Sequence, residues 1–500
     1  MSTTFQYDFA ANHKNSDFQG KVNFPTGVFI NNEFSAGSTG KSIDIVNPST
    51  SKVITQISEG TADDVDRAVR AARDAHDNRW GTTVHGSERG RLLIRLADLM
   101  EEHADELAAL ECLDNGKPFK FARSFDIPEA AANFRYFGGW ADKVQGHTME
   151  VGDDKLAYTR YEAMGVCGSV IPWNFPLLMA SWKLAPAIAT GNAVVIKPSE
   201  ITPLTALRLA SLIKEAGFPA GVVNIVVGYG QTVGSAIIDH PNIDKVAFTG
   251  STAVGKLVMK AAANNVKNVT LELGGKSPSV VFEDANLANA VQQTAFGIWF
   301  NSAQCCCAGS RILVEESIYD EFVKGFKDFT NTLKIGDPFD NETFFGPVVS
   351  QAQQSRVNGF IESGKKDAKV IECGGEPSNL GGYFVKPNIF LDAPADCEIQ
   401  RQEIFGPAVT ISKFSKNDDV VKLANDTDYG LAASVFTDNF SKAHKTAHAI
   451  KAGTVWINQH NVLTKNVPFG GYKQSGLGRE MGSEVLKNYV QSKSVFAQFT

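Results

Sequence analysis

The amino-acid sequence predicts an α/β protein built from more than one packed unit. Between Gly165 and Glu272, short β-branched segments alternate with longer helical stretches, which is the pattern of parallel βαβ units. From Gly274 to about Gly476, further strand-like and helical segments indicate a second α/β unit. A chain of 500 residues is also too long for one hydrophobic core, so we expect two or three units.

Helices are predicted ahead of the first βαβ region. From Asp63 to His76, and again from Glu88 to Leu113, apolar residues such as Leu92, Leu96 and Leu99 recur at helical spacing with charged residues between them. We therefore predict amphipathic helices that cover a core.

Five strands are predicted in the first unit, at VCGSVI, AVVIKP, VNIVV, KVAFTG and NVTLEL. In open parallel sheets, ligands bind beyond the carboxyl ends of the strands, where loops and helix N-termini converge. The segments that follow these strands are therefore the first places to look for a binding site.

Two of those segments have binding-site character. After VNIVV, the glycines Gly228, Gly230 and Gly234 are one residue off the G-x-G-x-x-G fingerprint. These glycines therefore fit two interpretations, a dinucleotide-binding turn or a turn that is merely tight. After KVAFTG, Ser251 and Thr252 are favourable N-cap residues. We expect a helix to begin there with its free amides directed into the crevice.

The second unit contains the predicted strands PSVVFE and RILVEE and the predicted helix YDEFVKGFKDFTNTL. Two other strand-like stretches, Met149 to Tyr161 and the C-terminal NYVQSKSVFAQF, belong to neither unit. We predict that they form an edge that pairs with another subunit.

Composition excludes several classes of protein. The formal net charge is -7, with Lys and Arg spread along the chain, so nucleic acid is not an expected partner. No run of 18 uncharged apolar residues offers a membrane span. The first twenty residues lack a signal pattern and carry Asp8 and Asp17, so we expect a cytoplasmic protein.

Three adjacent cysteines occur in NSAQCCCAGSR, residues Asn301 to Arg311, whereas the other four, Cys112, Cys167, Cys373 and Cys397, are scattered. An odd, sparse set favours free thiols over disulfides. We expect no metal, because adjacent residues should not all point at one tetrahedral ion and no C-x-x-C pair completes a site. Taken alone, each cysteine is better explained as a small buried apolar residue than as a nucleophile, since a catalytic thiol needs a nearby base or positive potential.

Several motifs change that interpretation. FNSAQCCCAGSR resembles the active-site segment of the NAD(P)-dependent aldehyde dehydrogenase superfamily, in which the nucleophile stands two residues after a glutamine. VTLELGGKSP is similar to the family's second signature, and IPWNFPLLMASWKLAPAIATGNAVVIKPSE, FTGSTAVGK, EIFGPA and PFGGYKQSGLGRE match further segments in order. The likeness runs from about Phe29 to the C-terminus. It departs at Ala303 and Ala408, where the family usually has glycine and valine, and we expect these small-for-small changes to preserve activity.

The resemblance implies a catalytic set. Cys306 is the implied nucleophile, Glu272 the general base, and the Asn174 amide with the Cys306 backbone N–H the oxyanion hole. Lys183 and Glu480 match positions that relay protons in relatives. The thiolate adds to the aldehyde, hydride leaves for the nicotinamide, and water hydrolyses the resulting thioester. Cys305 and Cys307 are expected to pack, with oxidation to a disulfide with Cys306 as an inactivating side reaction.

The resemblance also implies a dinucleotide site. Lys197 and Glu200 match residues that bind the adenosine ribose, Ser251 faces the pyrophosphate, and Glu403 and Phe405 hold the nicotinamide ribose and ring. The carboxylate of Glu200 would repel a 2′-phosphate, so NAD is the expected cofactor and NADP the weaker alternative. The complete predicted cofactor set is Ile171, Trp173, Lys197, Glu200, Gly230, Phe248, Gly250, Ser251, Gly274, Glu403 and Phe405.

The residues that match the family's substrate tunnel are all apolar, which predicts small aliphatic or simple aromatic aldehydes such as acetaldehyde. The absence of a cation among them argues against a carboxylated aldehyde. These residues are Phe175, Leu178, Met179, Trp182, Phe300, Leu463 and Phe469.

The predicted fold is therefore a Rossmann-like dinucleotide-binding domain, a second α/β catalytic domain and a small β oligomerisation element. We assign residues 1–141 and 163–273 to the first, 274–475 to the second, and 142–162 with 486–500 to the third. By resemblance we expect a homotetramer, with a dimer as the alternative.

Three other functions compete with this prediction. An acylating dehydrogenase would pass the thioester to coenzyme A, although acylating members generally lack the glutamate that Glu272 matches. A hydrolase or esterase would use the same nucleophile without NAD. A non-catalytic structural role is disfavoured by the presence of Cys306, Glu272 and Asn174.

Overall fold

The computed structural model describes residues 3–13, 16, 18–375 and 380–499. The outermost ends of the predicted domains, residues 1–2 and residue 500, lie outside the described residues, as does Asp17.

Strands and helices alternate along most of the described chain. The strands, β1 to β24 in chain order, are Thr4–Asp8, Lys21–Pro25, Val28–Ile30, Glu33–Ser35, Ser42–Asn47, Lys52–Ser58, Thr148–Met149, Lys155–Ala163, Val166–Val170, Ala193–Lys197, Val223–Ile225, Lys245–Thr249, Asn268–Glu272, Pro278–Val281, Arg311–Glu315, Lys334–Ile335, Thr343–Phe345, Lys369–Glu372, Asn388–Leu391, Ala408–Phe414, Ala432–Phe436, Thr454–Ile457, Gly476–Leu477 and Val490–Gln498. The α-helices, α1 to α16, are Phe9–Asn12, Ala62–Asn78, Gly86–Glu102, Ala104–Asn115, Phe119–Phe121, Ile127–Trp140, Pro176–Ala189, Leu204–Ala216, Ser235–Asp239, Thr252–Ala262, Leu287–Trp299, Tyr319–Asn331, Gln351–Asp367, Glu398–Arg401, Val420–Asn425 and Phe440–Ala449. Ala122–Asp126 and Gly230–Gly234 are π-helical turns, and Phe300–Ala303, Glu316–Ile318, Lys473–Ser475 and Ser483–Asn488 are short 3₁₀ segments.

The five strands predicted in the first unit are confirmed, and they form the parallel centre of an eight-stranded sheet. The strand order is β23-β13-β12-β9-β10-β11-β3-β4, with β23, β3 and β4 added in antiparallel fashion. Because β9 to β13 run in one direction, their carboxyl ends meet at one edge, as predicted for a doubly wound α/β sheet.

The helices before this sheet differ from the prediction in one respect. The stretch from Glu88 to Leu113 is not one amphipathic run but two helices, α3 and α4, which are separated at His103. Residues Leu107 to Asn115 of α4 are all buried, so this helix passes through the core and has no solvent face along that stretch.

The second unit contains a seven-stranded sheet in the order β18-β19-β20-β15-β14-β21-β22. The predicted strands PSVVFE and RILVEE are β14 and β15, which are neighbours near its centre. The predicted helix YDEFVKGFKDFTNTL is α12, whose buried face includes Phe322 and Phe326.

The two unassigned strand-like stretches pair with each other. β8 and β24 form an antiparallel ladder from Val490 opposite Ala163 to Gln498 opposite Lys155, and β7 adds a short third strand. In this three-stranded sheet, β24 and β7 are the outer strands. None of the helices in the described part of the chain is long and apolar enough to span a bilayer.

Asn192 ties the three-stranded sheet to the parallel sheet. Its side chain is fully buried, and Oδ1 accepts a hydrogen bond from the Gly165 N–H (2.9 Å), just before β9. Its Nδ2 donates to the carbonyl oxygens of Tyr489 (2.8 Å), just before β24, and Ala187 (3.2 Å) in α7. One side chain thus satisfies backbone groups from three elements.

We expect Asn192→Ala to lower the free energy of unfolding by about 3 kcal/mol, because buried donors and acceptors lose their partners. Thermal or denaturant unfolding measures the change. The matched control is Asn78→Ala at an exposed site, which should shift stability by less than about 0.5 kcal/mol. Equal effects of the two substitutions would contradict this role.

Candidate active site

A cleft of about 460 Å³ lies at the carboxyl ends of β9, β12 and β13. One wall comes from the segments that follow these strands, and the other from the second unit, including Gln402 and Tyr429. The predicted site residues that line this cleft are Trp173, Asn174, Phe175, Met179, Gly250, Ser251, Glu272, Gly274, Cys306, Glu403 and Phe405.

A narrower cavity of about 30 Å³ adjoins the cleft, and Phe175, Met179 and Cys306 line both. Apart from the three cysteines and Asn461, its walls are apolar. All the residues predicted for a tunnel lie along it: Phe175, Leu178, Met179, Trp182, Phe300, Leu463 and Phe469.

The cysteines follow an irregular turn that buried hydrogen bonds hold in shape. After α11 ends, Asn301, Ser302 and Ala303 have φ angles of 52°, 53° and 58°. The left-handed region costs a non-glycine residue about 1–2 kcal/mol. Gln304 supports the turn, because its Nε2 donates to the Asn301 carbonyl (3.2 Å) and its Oε1 accepts from the Val349 N–H (2.9 Å).

The three thiols converge. Their Sγ atoms lie within 4.8 Å of one another, and the Cys305 and Cys307 Sγ atoms are 3.5 Å apart. The prediction that adjacent cysteines cannot point at one ion is therefore wrong as a geometric argument. The reason is a turn, closed by the Ala308 N–H on the Cys305 carbonyl (3.1 Å), that gathers the side chains on one side.

Exposure distinguishes Cys306 from its neighbours. Cys305 and Cys307 are 7% and 1% exposed, whereas Cys306 is partly exposed and is the cysteine of the three that lines both cavities. Hydrogen bonds with Cys305 and Cys307, together with burial, raise the pKa of the Cys306 thiol. Hydrogen bonds from Cys306 and Cys307 lower the pKa of Cys305.

Asn174 is held directly beside the cysteine turn. Its Nδ2 donates to the Gln304 carbonyl (2.9 Å), and its own carbonyl accepts from Asn301 Nδ2 (3.0 Å). The segment is fixed on its other side by Asn115, whose Nδ2 donates to the Trp173 carbonyl (2.7 Å). α7 begins directly afterwards at Pro176, a residue suited to the first helical position.

Glu272 is the last residue of β13 and is only 2% exposed. Burial raises the pKa of its carboxyl to about 8, although the nearby charge of Lys183 opposes the rise. Its Oε1 makes no hydrogen bond with the described residues. The buried side chains of Lys183 and Glu480 form an ion pair. The charge of Lys183 lowers the pKa of Glu272, whereas the charge of Glu480 raises it.

A glycine allows the loop after β13 to approach the cysteine turn. A Cβ at Gly275 would lie 2.5 Å from the Cys306 carbonyl oxygen, which is too close. Because that oxygen belongs to the backbone, no side-chain rotation could relieve the clash. The Gly275 N–H also donates to Glu403 Oε1 (3.0 Å). Desolvation in this setting raises the pKa of Glu403 to about 7.

The lining of the cleft also includes a helix N-terminus and two aromatic rings. Ser251 caps α10, as predicted, with its side chain accepting from the Val254 N–H. Trp173 and Phe405 face each other edge to face with ring centroids 5.2 Å apart. Phe405 has a φ of 61°, a strained conformation of the kind that clusters at ligand sites.

The remaining predicted cofactor residues do not line this cleft; these are Ile171, Lys197, Glu200, Gly230 and Phe248. Lys197 ends β10, and its Nζ donates to Glu200 Oε2 (2.8 Å). The Ile171 N–H donates to the Lys197 carbonyl (3.1 Å), and Gly230 begins the π-helical turn after β11. They follow the same carboxyl edge of the sheet, except that Phe248 is buried within β12.

Several lining residues escaped the sequence analysis. Gln353 and Arg356 on α13 border the cleft, and they donate to the Phe405 carbonyl (2.7 Å) and the Glu403 carbonyl (2.9 Å). Phe125 and Asn461 line the narrow cavity. None belongs to a recognisable motif, so only the three-dimensional arrangement identifies them.

Comparison with known proteins decides the family. The family model described as "Aldehyde dehydrogenase family" matches residues 34–495. The chain belongs to the aldehyde dehydrogenase family. It is an oxidoreductase of the class that oxidises aldehydes to carboxylic acids.

Individual aldehyde dehydrogenases are similar over nearly the whole chain. The aldehyde dehydrogenase of Emericella nidulans is 54% identical over 95% of this chain and 95% of its own. Human retinaldehyde dehydrogenase 3 is 51% identical over 94% of this chain and 92% of its own. The NAD⁺ complex of the Bacillus cereus aldehyde dehydrogenase has a TM-score of 0.93, with 47% identity over 95% of this chain and 97% of its own.

The structure gives a physical meaning to one departure from the family pattern. Ala303, which stands where the family usually has glycine, is the third of the left-handed residues before the cysteines. The departure at Ala408 lies in regular backbone, at the buried start of β20.

We expect Ala303→Gly to stabilise the protein by about 0.5–1 kcal/mol, because relief of the left-handed strain exceeds the extra chain entropy of glycine. The matched control is Ala308→Gly, at a nearby residue without positive φ, which should be destabilising by about 0.5–1 kcal/mol. Thermal unfolding of both variants measures the difference. A loss of stability in the Ala303 variant would show that the turn is not strained there.

Proposed function

We propose that this protein is a non-acylating, NAD-dependent aldehyde dehydrogenase that oxidises small aliphatic or aromatic aldehydes through a thioester on Cys306. The observation that carries the proposal is the position of Cys306, a partly exposed thiol where the wide cleft meets the narrow apolar cavity. A substrate in one cavity and a cofactor in the other can then meet at one sulfur atom.

Cys306 begins the reaction by attack on the aldehyde carbonyl. The reacting form is the thiolate: its sulfur forms the C–S bond, and the π electrons of the carbonyl move to oxygen, which becomes the oxyanion of a thiohemiacetal. The Asn174 side chain, 2.9 Å from the Gln304 carbonyl, and the Cys306 backbone N–H are assigned to stabilise that charge. Removal of one such donor typically raises a barrier by about 3 kcal/mol.

The wide cleft fits a dinucleotide. Its 460 Å³ volume lies within the usual range for cofactor sites, and the amides at the start of α10 suit a pyrophosphate. We assign Trp173 and Phe405 to the nicotinamide end and Glu403 to its ribose, since all three line the cleft. Bound NAD supplies the hydride acceptor that the thiohemiacetal needs in order to collapse to a thioester.

Glu272 completes the reaction as general base. Its buried carboxylate takes a proton from water, the hydroxide attacks the thioester, and the acid leaves as the Cys306 thiolate returns. The ion pair of Lys183 and Glu480 is proposed to relay that proton away from Glu272.

The preference for NAD over NADP is assigned to Glu200 and Lys197. The carboxylate suits two ribose hydroxyls and repels a 2′-phosphate, while its contact with Lys197 Nζ (2.8 Å) keeps it in place. The NAD⁺ complex of the Bacillus cereus relative supports this choice.

The substrate class follows from the narrow cavity. Apart from the cysteines and Asn461, phenylalanine, leucine, methionine and tryptophan side chains form its walls, and none of its described lining residues is cationic, which favours uncharged aldehydes such as acetaldehyde. The name of the human relative, retinaldehyde dehydrogenase 3, is in keeping with an apolar substrate.

We also propose that residues 1–141 and 163–273 form the NAD-binding domain, 274–475 the catalytic domain, and 142–162 with 486–500 the oligomerisation element. The outer strand β24 carries exposed Phe496, which suits it to an interface between subunits. We expect a cytoplasmic homotetramer, with a dimer as the alternative.

We expect Cys306→Ala to abolish NADH formation from acetaldehyde, because neither neighbouring thiol reaches both cavities. Cys305→Ala and Cys307→Ala are the matched controls and should retain most of the activity. The assay is steady-state NADH formation with and without coenzyme A, which should not be required. Loss of turnover in a flanking variant alone would move the nucleophile to that residue.

We expect turnover to rise with pH between about 7 and 9, because Glu272, with its pKa raised to about 8, must be deprotonated to act as a base. Glu272→Gln should reduce steady-state turnover by a factor on the order of 100 or more and preserve the first-turnover burst of NADH. Rapid-mixing kinetics separate the two phases. An unchanged steady-state rate in the Gln variant would remove Glu272 from the mechanism.

A further inference from the structure

We propose that Lys117 is a positioning residue of the active site, which acts by holding the ring of Phe175 in the wall of the narrow cavity. Through Phe175 it also fixes the neighbouring Asn174 amide. Lys117 belongs to none of the motifs that carry the family resemblance, and it is not among the residues that line the cleft or the narrow cavity. The inference rests on the proposed function, because it places the aldehyde in the narrow cavity.

The ammonium group of Lys117 lies over the ring of Phe175. Its Nζ is 3.9 Å from the ring centroid, and the residue is only 1% exposed. A cation is attracted to the electron-rich face of an aromatic ring, and the attraction is strongest where water is excluded. Phe175 itself lines both the cleft and the narrow cavity. A buried charge outside the cavities therefore restrains a ring that lies in both of them.

Two acidic side chains hold Lys117 in this position. Its Nζ donates to Glu111 Oε1 (3.3 Å) and to Asp126 Oδ2, and all three side chains are fully buried. Burial raises the pKa of Asp126 well above its usual range, so a proton on that carboxyl leaves one ammonium beside one carboxylate. The cluster then carries no net charge, which lowers the cost of keeping it in the core.

The backbone around Phe175 is held by hydrogen bonds from the helix that precedes Lys117. Glu111 Oε2 accepts from the Leu177 N–H (3.4 Å), and Asn115 Nδ2 donates to the Trp173 carbonyl (2.7 Å). Helix α4 therefore holds this segment on both sides of the ring, and Lys117 holds the ring between them.

Asn174 lies inside the segment that is held in this way. Its Nδ2 donates to the Gln304 carbonyl (2.9 Å), so the position of the amide relative to Cys306 depends on where the segment lies. A displacement of about 1 Å in an active site can lower the rate by about 100-fold. Loss of the restraint on Phe175 should therefore reduce turnover, although Lys117 touches no reacting atom.

Phe175 also sets the width of the narrow cavity. Its ring stacks with that of Phe300, with centroids 6.0 Å apart and planes at 28°. Phe300 in turn meets Phe125 edge to face at 5.8 Å, and all three rings line the cavity. A shift of Phe175 is therefore passed to the other two rings. We expect it to change the preference between small and large aldehydes as well as the rate.

The test is a double-mutant cycle of Lys117→Met and Phe175→Leu in the full-length enzyme with saturating NAD. The measured quantity is kcat/KM for acetaldehyde and for benzaldehyde. We expect Lys117→Met to lower kcat/KM for acetaldehyde by about tenfold and to change the ratio of the two values by about threefold or more. In the Phe175→Leu background, where the cation has no ring to hold, the same substitution should change either value by less than about twofold.

A second cycle guards against misfolding. Lys117→Met alone leaves the Glu111 carboxylate buried without its cation, so the cycle is repeated with Glu111→Gln in every variant, which removes that charge. The Gln side chain can still accept from the Leu177 N–H. Thermal unfolding verifies that each variant is folded before its kinetics are compared.

Lys442→Met is the matched control. Its Nζ also lies over a ring, 4.8 Å from the Phe282 centroid, and beside a carboxylate, 3.0 Å from Asp284 Oδ2. None of these residues lines the cleft or the narrow cavity. The substitution should therefore leave kcat/KM for both aldehydes unchanged.

Equal fold-changes from Lys117→Met with and without the Phe175 ring would overturn the proposal, because the lysine would then act through general stability. An unchanged aldehyde preference in an active Lys117→Met enzyme would overturn it as well. Either result leaves the dehydrogenase reaction itself intact. Absence of turnover in the unsubstituted enzyme would instead overturn the proposed function, and this inference with it.

Discussion

The active site depends on a reciprocal pair of hydrogen bonds between two loops. Asn174 Nδ2 donates to the Gln304 carbonyl (2.9 Å), and Asn301 Nδ2 donates back to the Asn174 carbonyl (3.0 Å). One loop follows a strand of the parallel sheet, and the other leads into the cysteines. Their pairing fixes the Asn174 amide relative to Cys306 and holds the turn at Asn301 in a conformation that the chain would otherwise avoid.

Buried acidic groups form the second constraint. Glu272 and Glu403 both line the cleft, and desolvation raises the pKa of their carboxyls to about 8 and about 7. A buried ionised carboxylate without a partner is costly, so structural sites usually avoid it. Retention of such a group beside a nucleophile is typical of acid–base chemistry, where a pKa near the working pH is an advantage.

Much of the fold was predictable from local pattern. β-branched segments that alternate with helical periodicity indicate a parallel sheet, and Ser251 is a strong N-cap residue. Motifs also placed Cys306 and Glu272 in one cleft. The burial of residues 107–115 of α4 on all sides was missed, since periodicity says nothing about a helix inside the core. Gln353 and Arg356 were missed because hydrogen bonds from a distant helix to the backbone leave no signal in the sequence. The convergence of the three thiols was missed because it depends on the geometry of the turn.

The central claim is that one sulfur atom, that of Cys306, carries the acyl group between hydride loss and hydrolysis. The most direct measurement is peptide mass spectrometry of the Glu272→Gln variant quenched after mixing with aldehyde and NAD. The account predicts an acyl adduct on the peptide that contains the three cysteines, located by fragmentation to Cys306. An adduct on Cys305 or Cys307, or NADH formation with no acylated cysteine, would contradict it.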